Sequence, residues 1–229
     1  MEKMIVLIPA YNPTEGLLSL INELKENKIE VVVVNDGSNE LSKKVFDKIK
    51  NKCIVLNHEV NKGKGCALKT GYSYIKGNYK DSIIVTMDAD LQHTVKDAIR
   101  VYECVLKNKD SLVLGCRRLS KDTPRRSRFG NSVTRFVFKL VTGVKVSDTQ
   151  TGLRGFYIDM IDDMLNIKGD RFEYEMNVLL TLAKRKTKIV EIMIKTIYFD
   201  NNSSSHFKTI KDSFRVYKVI IKFVFSRKK

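Results

Sequence analysis

Short apolar runs alternate with longer polar stretches through the first half of the chain. The apolar runs have the length of buried strands and occupy residues 4–8, 31–34, 53–56, 83–87 and 112–114. The stretches between them, such as 15–28 and 41–51, have helix-compatible compositions. This alternation predicts an α/β fold: one Rossmann-like domain in which a mostly parallel central sheet is flanked by helices.

Three of the predicted strands are followed directly by distinctive polar sequences. Ligands of parallel sheets bind outside the carboxyl ends of the strands, so these sequences are the first candidates for a site. They are PAYN at 9–12, NDGS at 35–38 and DADLQH at 88–93. The first offers an aromatic ring that can cover a base, whereas the second is equally typical of an Asx turn or a helix cap.

The DADLQH sequence carries the strongest chemical signal. At strand periodicity, Asp88, Asp90 and Gln92 project to the same side. Two carboxylates and an amide oxygen form half of a coordination shell for Mg²⁺ or Mn²⁺, and diphosphate oxygens and water can complete it. The competing interpretation is a solvated acidic turn.

A glycine-rich, basic sequence, NKGKG at 61–65, precedes a helix-like stretch at 66–75. Its glycines would let backbone amides approach an anion, and Lys64 adds positive charge. The spacing of a Walker A loop is absent, which disfavours kinase-like chemistry.

Composition and charge narrow the class of protein. The 229 residues are 43% hydrophobic, enough for one core. There are 42 basic and 26 acidic residues, and the formal charge of +16 favours anionic partners. The four cysteines are scattered singly, which indicates reduced thiols. No apolar run has the length of a membrane span and the N-terminus lacks signal-peptide features, so we expect a cytoplasmic protein.

The order and spacing of the four motifs resemble family 2 glycosyltransferases, in particular the polyprenyl-phosphate (dolichyl-phosphate type) hexosyltransferases. The resemblance covers nearly the whole chain and implies the GT-A fold. It implies that the nucleotide of a sugar donor contacts Pro9, Tyr11, Asn12, Asp36, Lys64 and Asp88. It also implies that a Mg²⁺ or Mn²⁺ cofactor is bound by Asp88, Asp90 and Gln92.

The second half of the chain resembles the acceptor half of that family. The matching sequences are GCR at 115–117, the basic run at 125–128 and DTQTGLR at 148–154. The predicted contacts to an acceptor phosphate are Arg117, Arg125, Arg128 and Arg154. Guanidinium groups bind phosphate bidentately, although a solvated basic face is the alternative interpretation.

Glu173 and Glu175, in FEYE at 172–175, resemble the acidic motif that supplies a general base in many related enzymes. A lipid phosphate has a second pKa near 6 and arrives ionised, so a base is needed only for a hydroxyl acceptor. The predicted catalytic residues are Asp90, Arg117, Arg128, Glu173 and Glu175.

Two positions depart from the family pattern. Asn35 stands where an aspartate often precedes Asp36, and residues 201–207 lack an arginine that many of these enzymes carry. His206 is either its replacement as a diphosphate contact or an exposed loop histidine. The identity of the sugar and of the nucleotide, UDP or GDP, therefore stays open.

The terminal segment 208–229 has the pattern of a basic amphipathic helix. Residues 128–140 repeat the design, with Phe129, Val133, Phe136, Val137 and Leu140 among basic residues. Such helices bind anionic membrane surfaces, although a terminal amphipathic helix also packs on its own core. We divide the chain into a catalytic domain at 1–207, with a donor half at 1–118 and an acceptor half at 119–207, and the terminal helix.

The residues and the resemblance together predict a metal-dependent glycosyltransferase that moves a hexose from a nucleotide sugar to a polyprenyl phosphate, and the resemblance alone implies inversion. It would act at the inner face of the membrane, with a membrane-embedded partner protein or a second copy as further partners. A glycosyltransferase acting on a hydroxyl acceptor is the alternative. A nucleic-acid-binding module is disfavoured because aromatic and basic residues do not form a stacking platform. A nucleotidyltransferase is disfavoured because no glycine-rich, lysine-bearing loop follows the first strand.

Overall fold

The structure is a computed structural model that describes residues 2–117, 125–194 and 219, without the side chains of 125–129. Its strands are β1 (Lys3–Ala10), β2 (Glu30–Asp36), β3 (Ile54–His58), β4 (Ser82–Thr86), β5 (Ser111–Arg117), β6 (Arg154–Tyr157) and β7 (Lys188–Ile194). Its helices are α1 (Gly16–Glu26), α2 (Glu40–Ile49), α3 (Lys64–Asn78), α4 (Val95–Leu106), α5 (Arg125–Thr142), α6 (Ile161–Asn166) and α7 (Glu173–Lys184), with a 3-10 turn at Ile158–Met160.

The strands form one sheet in the order β3-β2-β1-β4-β6-β5-β7. Strand β6 runs antiparallel to both of its neighbours, and the other strand pairs are parallel. The prediction of a mostly parallel α/β sheet in a GT-A-type domain is therefore confirmed. Because β6 is reversed, its first residue lies at the edge where the parallel strands end.

Helices cover both faces of the sheet, because strand side chains alternate between two cores. In β1, Ile5 and Leu7 point into the core under α3, α5, α6 and α7, whereas Val6 and Ile8 point into the core under α1, α2 and α4. All four side chains are fully buried. Burial on both faces explains why the strands appear as continuous apolar runs.

The helix starts are fixed by side chains at the carboxyl edge of the sheet. Asn39 Oδ1 accepts the Ser42 N–H and begins α2, and Thr94 Oγ1 accepts the Asp97 N–H and begins α4. These N-caps satisfy amides that have no partner within the helix. The two caps therefore mark the points at which the polar sequences after β2 and β4 end and the helices begin.

The structure leaves part of the predicted chemistry outside the described residues. This holds for His206, for the loop at 201–207 and for the terminal helix at 208–229, apart from Val219, which is helical and packs against a core. Within the ranges that the structure describes, no helix combines the length and apolar character needed to cross a membrane.

Helix α3 packs against β1 through a glycine, which generates a stability prediction. A Cβ on Gly71 would lie 2.2 Å from the buried Leu7 Cδ1, whereas a Cβ on Gly77 would meet nothing within 4 Å. Gly71→Ala should therefore lower the free energy of unfolding by about 1–3 kcal/mol through overpacking. Gly77→Ala, in the same helix, should raise it by about 0.5–1 kcal/mol. Urea unfolding of both variants tests this, and equal effects would contradict the packing.

Candidate active site

The polar sequences converge at one edge of the sheet. This edge is formed by the carboxyl ends of β1, β2, β4 and β5 and by the start of the reversed β6. Thr86 at the end of β4 is opposite Arg154 at the start of β6, and Thr86 Oγ1 donates to the Gly152 carbonyl at 2.7 Å. Residues 88–93 and 148–154 are therefore brought together, although they are far apart in sequence.

Asp88 and Asp90 lie in the turn after β4, which ends at Thr86. We expected the two carboxylates to share a side because they alternate along a strand. That expectation is wrong, because both residues lie beyond the end of β4. Leu91 adopts a left-handed φ of 65°, and Asp90 Oδ1 accepts the Gln92 N–H at 3.1 Å. The two carboxylates are close enough to interact, because burial and the charge of Asp88 raise the pKa of Asp90 to about 6. The Gln92 side chain is buried.

Lys64 is the counter-charge of Asp88. Its Nζ lies 2.6 Å from Asp88 Oδ1 and 2.9 Å from Glu175 Oε2. Burial alone would lower the pKa of Lys64, but Asp88 and Glu175 raise it above its usual value, so the ammonium stays charged. Burial likewise opposes ionisation of Asp88, yet the Lys64 ammonium beside it holds the Asp88 pKa below its usual range. The result is a partly buried, ionised cluster.

The two candidate bases have different surroundings. Glu175 is buried and takes part in the Lys64 cluster. Glu173 Oε1 accepts the N–H groups of Asp170 and Arg171 at 3.1 and 3.3 Å, which fixes the turn that leads into α7. The structure therefore joins Glu175 to Asp88 through Lys64, whereas Glu173 bonds the backbone of the turn before α7.

Asp36 is enclosed by its own chain. Its Oδ1 accepts the Lys62 N–H, and its Oδ2 accepts the Gly63 N–H, at 2.9 and 2.8 Å. His58 Nδ1 lies 2.7 Å from Asp36 Oδ1, and His58 Nε2 lies 2.9 Å from Thr70 Oγ1. The amides of the NKGKG loop thus hold the Asp36 carboxylate instead of an external anion. This corrects the expectation of a phosphate cradle, and the contact of Asp36 with a base stays a prediction.

The turn after β1 is joined to the turn after β2. Asn12 has a left-handed φ of 47°; its N–H donates to Ser38 Oγ and its Oδ1 accepts the Asn39 N–H. The side chain of Asn12 therefore fixes the two turns together, which is a different role from the predicted nucleotide contact. Pro9 lies at the end of β1, and Tyr11 is 37% exposed at this edge.

Arg117 forms a bidentate ion pair with Asp148. Its Nε lies 2.7 Å from Asp148 Oδ2, and its Nη2 lies 3.2 Å from Oδ1. Asp148 is fully buried and also accepts from Asn131 Nδ2. Arg117 is near the acidic turn, because its charge helps to hold down the pKa of Asp88. The side chains of Arg125 and Arg128 lie outside the described part of α5.

The prediction that Arg154 contacts an acceptor phosphate is wrong. Arg154 is buried, and its Nε and Nη1 donate to the carbonyl groups of Thr151 and Glu175, both at 2.9 Å. Its Nη2 has no partner among the described residues, and the side chain lines a small internal cavity together with Tyr72 and Phe156. Arg154 is two residues before the buried Phe156 in β6, so strand alternation points both side chains to the same inward face.

Two further residues complete the site, and sequence reasoning missed their roles. A Cβ on Gly152 would lie 2.1 Å from Asp88 Oδ2, so only glycine lets this backbone approach the carboxylate. His93 Nε2 lies 3.9 Å from Asp88 Oδ2. Burial lowers the pKa of His93 to about 4, so the ring is neutral. Both residues lie within motifs that the sequence singled out, but their contacts are tertiary.

The residues at the acidic turn fit a divalent cation that is shared with a ligand. Within residues 2–117 and 125–194, no three His, Cys, Asp or Glu side chains are grouped so as to hold a metal alone. Lys64 neutralises Asp88, whereas the described chain gives Asp90 no ion-pair partner and the Asp88 charge raises its pKa. A second cation at Asp90 would relieve this repulsion, and phosphate oxygens would have to supply the remaining ligands.

An α/β sheet with polar residues at its carboxyl edge is the arrangement in which this class of fold binds its ligands. The model of glycosyl transferase family 2 matches residues 5–165, so the chain belongs to this family and is a glycosyltransferase.

Several relatives are similar over most of the chain. An uncharacterised protein of Methanocaldococcus jannaschii is 32% identical over 98% of this chain and 93% of its own length. The UDP-N-acetylglucosamine–dolichyl-phosphate N-acetylglucosaminyltransferase of Methanococcus voltae is 31% identical over 86% of this chain and 87% of its own. The predicted similarity to polyprenyl-phosphate enzymes is thus confirmed among the relatives.

A solved structure supports the fold. Glucosyl-3-phosphoglycerate synthase from Mycobacterium tuberculosis, in complex with Mn²⁺, UDP-glucose and phosphoglyceric acid, superposes with a TM-score of 0.76 at 16% identity. The match covers 98% of this chain and 80% of that chain.

The approach of Gly152 to Asp88 generates a prediction about activity. Gly152→Ala should displace the Asp88 carboxylate, because the new Cβ would overlap Oδ2. The displaced group is a side-chain end, so we expect sugar transfer to fall about tenfold or more while the urea unfolding midpoint changes little. Gly77→Ala, which adds a Cβ in open space, is the control. A fully active Gly152→Ala enzyme would show that the position of Asp88 does not matter.

Proposed function

We propose that this glycosyltransferase moves a sugar from a nucleotide sugar to a polyprenyl phosphate, with Mg²⁺ or Mn²⁺ as its cofactor. The observation that carries the proposal is the acidic turn at the sheet edge, where Lys64 neutralises Asp88 and Asp90 has no such partner among the described residues. A site of this kind binds a cation together with the phosphates of a ligand. The proposed donor half is 1–118 and the proposed acceptor half is 119–207.

The donor would lie across the carboxyl edge of the sheet. Tyr11, partly exposed after β1, and Pro9 are proposed to contact the base. Asp88 would accept from the ribose, and Lys64 would add positive charge beside the diphosphate. The Methanococcus relative is named for a UDP-sugar and the mycobacterial structure contains UDP-glucose, so UDP is the first nucleotide to test.

The metal would be held mainly by Asp90, with Asp88 beside it and Gln92 as the third proposed ligand. When bound, it stabilises the negative charge that develops on the departing nucleoside diphosphate. The chain's own contribution is to keep Asp88 ionised through Lys64 and to fix the turn through the Gln92 amide. Mg²⁺ and Mn²⁺ both suit this oxygen donor set.

The acceptor phosphate is proposed to bind Arg117, with Arg125 and Arg128 from the start of α5. Asp148 orients the Arg117 guanidinium through two contacts, so little freedom remains to be lost on binding. A phosphate oxygen would attack the anomeric carbon while the bond to the nucleoside diphosphate breaks, and the diphosphate would leave with the electron pair. An ionised phosphate needs no base, which agrees with Glu175 being paired to Lys64.

Helix α5 is the proposed membrane-binding element. Asn131, Thr134, Phe138 and Val141 form its buried face, whereas Phe136 and Leu140, four residues apart, are 68% and 74% exposed. The helix contains five basic residues and no acidic residue. An apolar ridge on a cationic helix fits the headgroup layer of an anionic membrane, where a polyprenyl phosphate resides. The proposed location is therefore the inner face of the cell membrane.

The direct test is a transfer assay with defined donors and acceptors. The protein is incubated with Mn²⁺ or Mg²⁺, radiolabelled UDP- or GDP-sugars and polyprenyl phosphate, and lipid products are extracted into organic solvent. We expect label in the organic phase that depends on both the metal and the lipid. Label that appears only on added glycans would favour a hydroxyl acceptor instead.

Asp90→Asn tests the proposed metal site in the same assay. Transfer should fall about 100-fold or more, since the metal supplies several kcal/mol of transition-state stabilisation. The free energy of unfolding should not fall, because the amide removes a like-charge contact with Asp88. Asp110→Asn, which changes an exposed carboxylate, is the control. An active, metal-dependent Asp90→Asn enzyme would overturn the assignment.

The double variant Phe136→Ser, Leu140→Ser tests the α5 surface. Its binding to vesicles of anionic phospholipid should weaken at least about tenfold, because each buried apolar side chain contributes about 1.5–3 kcal/mol. Leu41→Ser changes a side chain that is 86% exposed on α2 and should bind as the parent does. Vesicle sedimentation measures both, and unchanged binding of the double variant would exclude this ridge.

A further inference from the structure

A partly buried series of alternating charges connects α3, the acidic turn, α7 and β6. Lys64 Nζ lies between Asp88 Oδ1, at 2.6 Å, and Glu175 Oε2, at 2.9 Å. Arg154 Nε lies 4.0 Å from Glu175 Oε1, and its Nη1 donates to the Glu175 carbonyl at 2.9 Å. Each carboxylate oxygen of Glu175 therefore has a cation of the same chain beside it.

This arrangement makes Glu175 a poor candidate for a general base. A base must reach the proton of the acceptor within hydrogen-bonding distance. The Glu175 side chain is only 11% exposed, and its nearest polar neighbours are the two cations. The Glu175 carboxylate instead forms an ion pair with the Lys64 ammonium.

Backbone contacts fix the position of the Lys64 Cα but not the conformation of its long side chain. A Cβ on Gly65 would lie 2.7 Å from Tyr174 Cβ, and the Cys66 N–H donates to the Asp170 carbonyl at 3.0 Å. The start of α3 is thereby pressed against the start of α7. A lysine side chain has four rotatable bonds, and two carboxylates on opposite sides select one arrangement.

We propose that Glu175 is a positioning residue that holds the Lys64 ammonium against Asp88 at the donor edge. The inference rests on the proposed function, which puts the donor nucleotide beside Asp88. Without the charge of Glu175, Lys64 would have a single carboxylate partner and would sample other rotamers. Asp88 would then lose part of the neutralisation that a nucleotide diphosphate requires beside it.

The experiment uses four full-length proteins: wild type, Lys64→Met, Glu175→Gln and the double variant. Binding of UDP and of GDP is measured by calorimetry in the presence of Mn²⁺, and stability is measured by urea unfolding. Glutamine keeps the shape of Glu175 and removes its charge, so any loss reports on the ion pair. Donor KM, kcat and their pH profiles are measured for the same set.

We expect Glu175→Gln to weaken binding of the nucleotide that the wild type binds by about tenfold. The double variant should bind no more weakly than Lys64→Met, because Glu175 acts through Lys64. The unfolding data should show the same non-additivity. Donor KM should rise more than kcat falls, and the acid limb of the pH profile should remain.

Other outcomes would overturn the inference. Additive effects of the two substitutions on stability and binding would show that the two residues are not coupled. Unchanged nucleotide affinity with a lower kcat and a lost acid limb would make Glu175 a general base. A wild-type protein that binds neither nucleotide would reject the donor assignment as well, whereas binding with additive effects would reject this inference alone.

A second ion pair of α3 supplies the matched control. Lys76, near the end of the same helix, pairs with Asp162 on α6, and both side chains are exposed. Asp162→Asn removes a carboxylate from this lysine without touching the sheet edge. Its nucleotide affinity should stay within about twofold of the wild type, because exposed pairs contribute little.

Discussion

The neutralisation of Asp88 by Lys64 is the interaction on which the site depends. A carboxylate that is partly removed from water, as Asp88 is, costs free energy unless a cation accompanies it. Lys64 lies 2.6 Å away and is itself held by Glu175, so two carboxylates share one ammonium. Arg154, behind Glu175, adds the second positive charge. The charges of the cluster are thereby balanced, and Asp90 is the carboxylate that the described chain leaves without an ion pair, which is why we propose it as the main ligand of a cation.

This balance requires parts of the chain that are far apart in sequence to meet closely. The reversed β6 brings residues 148–154 to the edge, and the absence of a side chain at Gly152 lets its backbone reach Asp88. On the other side, the glycines at the start of α3 allow contact with the start of α7. The two sides of the site are thus connected through backbone packing, so a change on either side affects the carboxylates between them.

The sequence predicted the sheet, its edge and the family, because apolar periodicity and motif order are local signals. It also identified Asp88, Asp90, Lys64 and Arg117, which the structure brings to one place. It failed where a contact depends on strand direction or on loop closure. Arg154 has the chemistry of a phosphate ligand, but its side chain lies on the inward face of β6 and donates to a backbone carbonyl group. The amides of the glycine loop donate to Asp36 and not to a ligand. No local pattern carries that information.

The hydrogen bonds between Asp36 and the glycine loop affect the entropy change when a ligand binds. Asp36, buttressed by His58 and Thr70, sets the loop that leads into Lys64. Ordering a lysine side chain costs about 1.5–2 kcal/mol of conformational entropy, and here that loss is incurred on folding. A ligand that meets this preorganised lysine does not incur the loss again, so its association is closer to docking of rigid bodies than to induced fit.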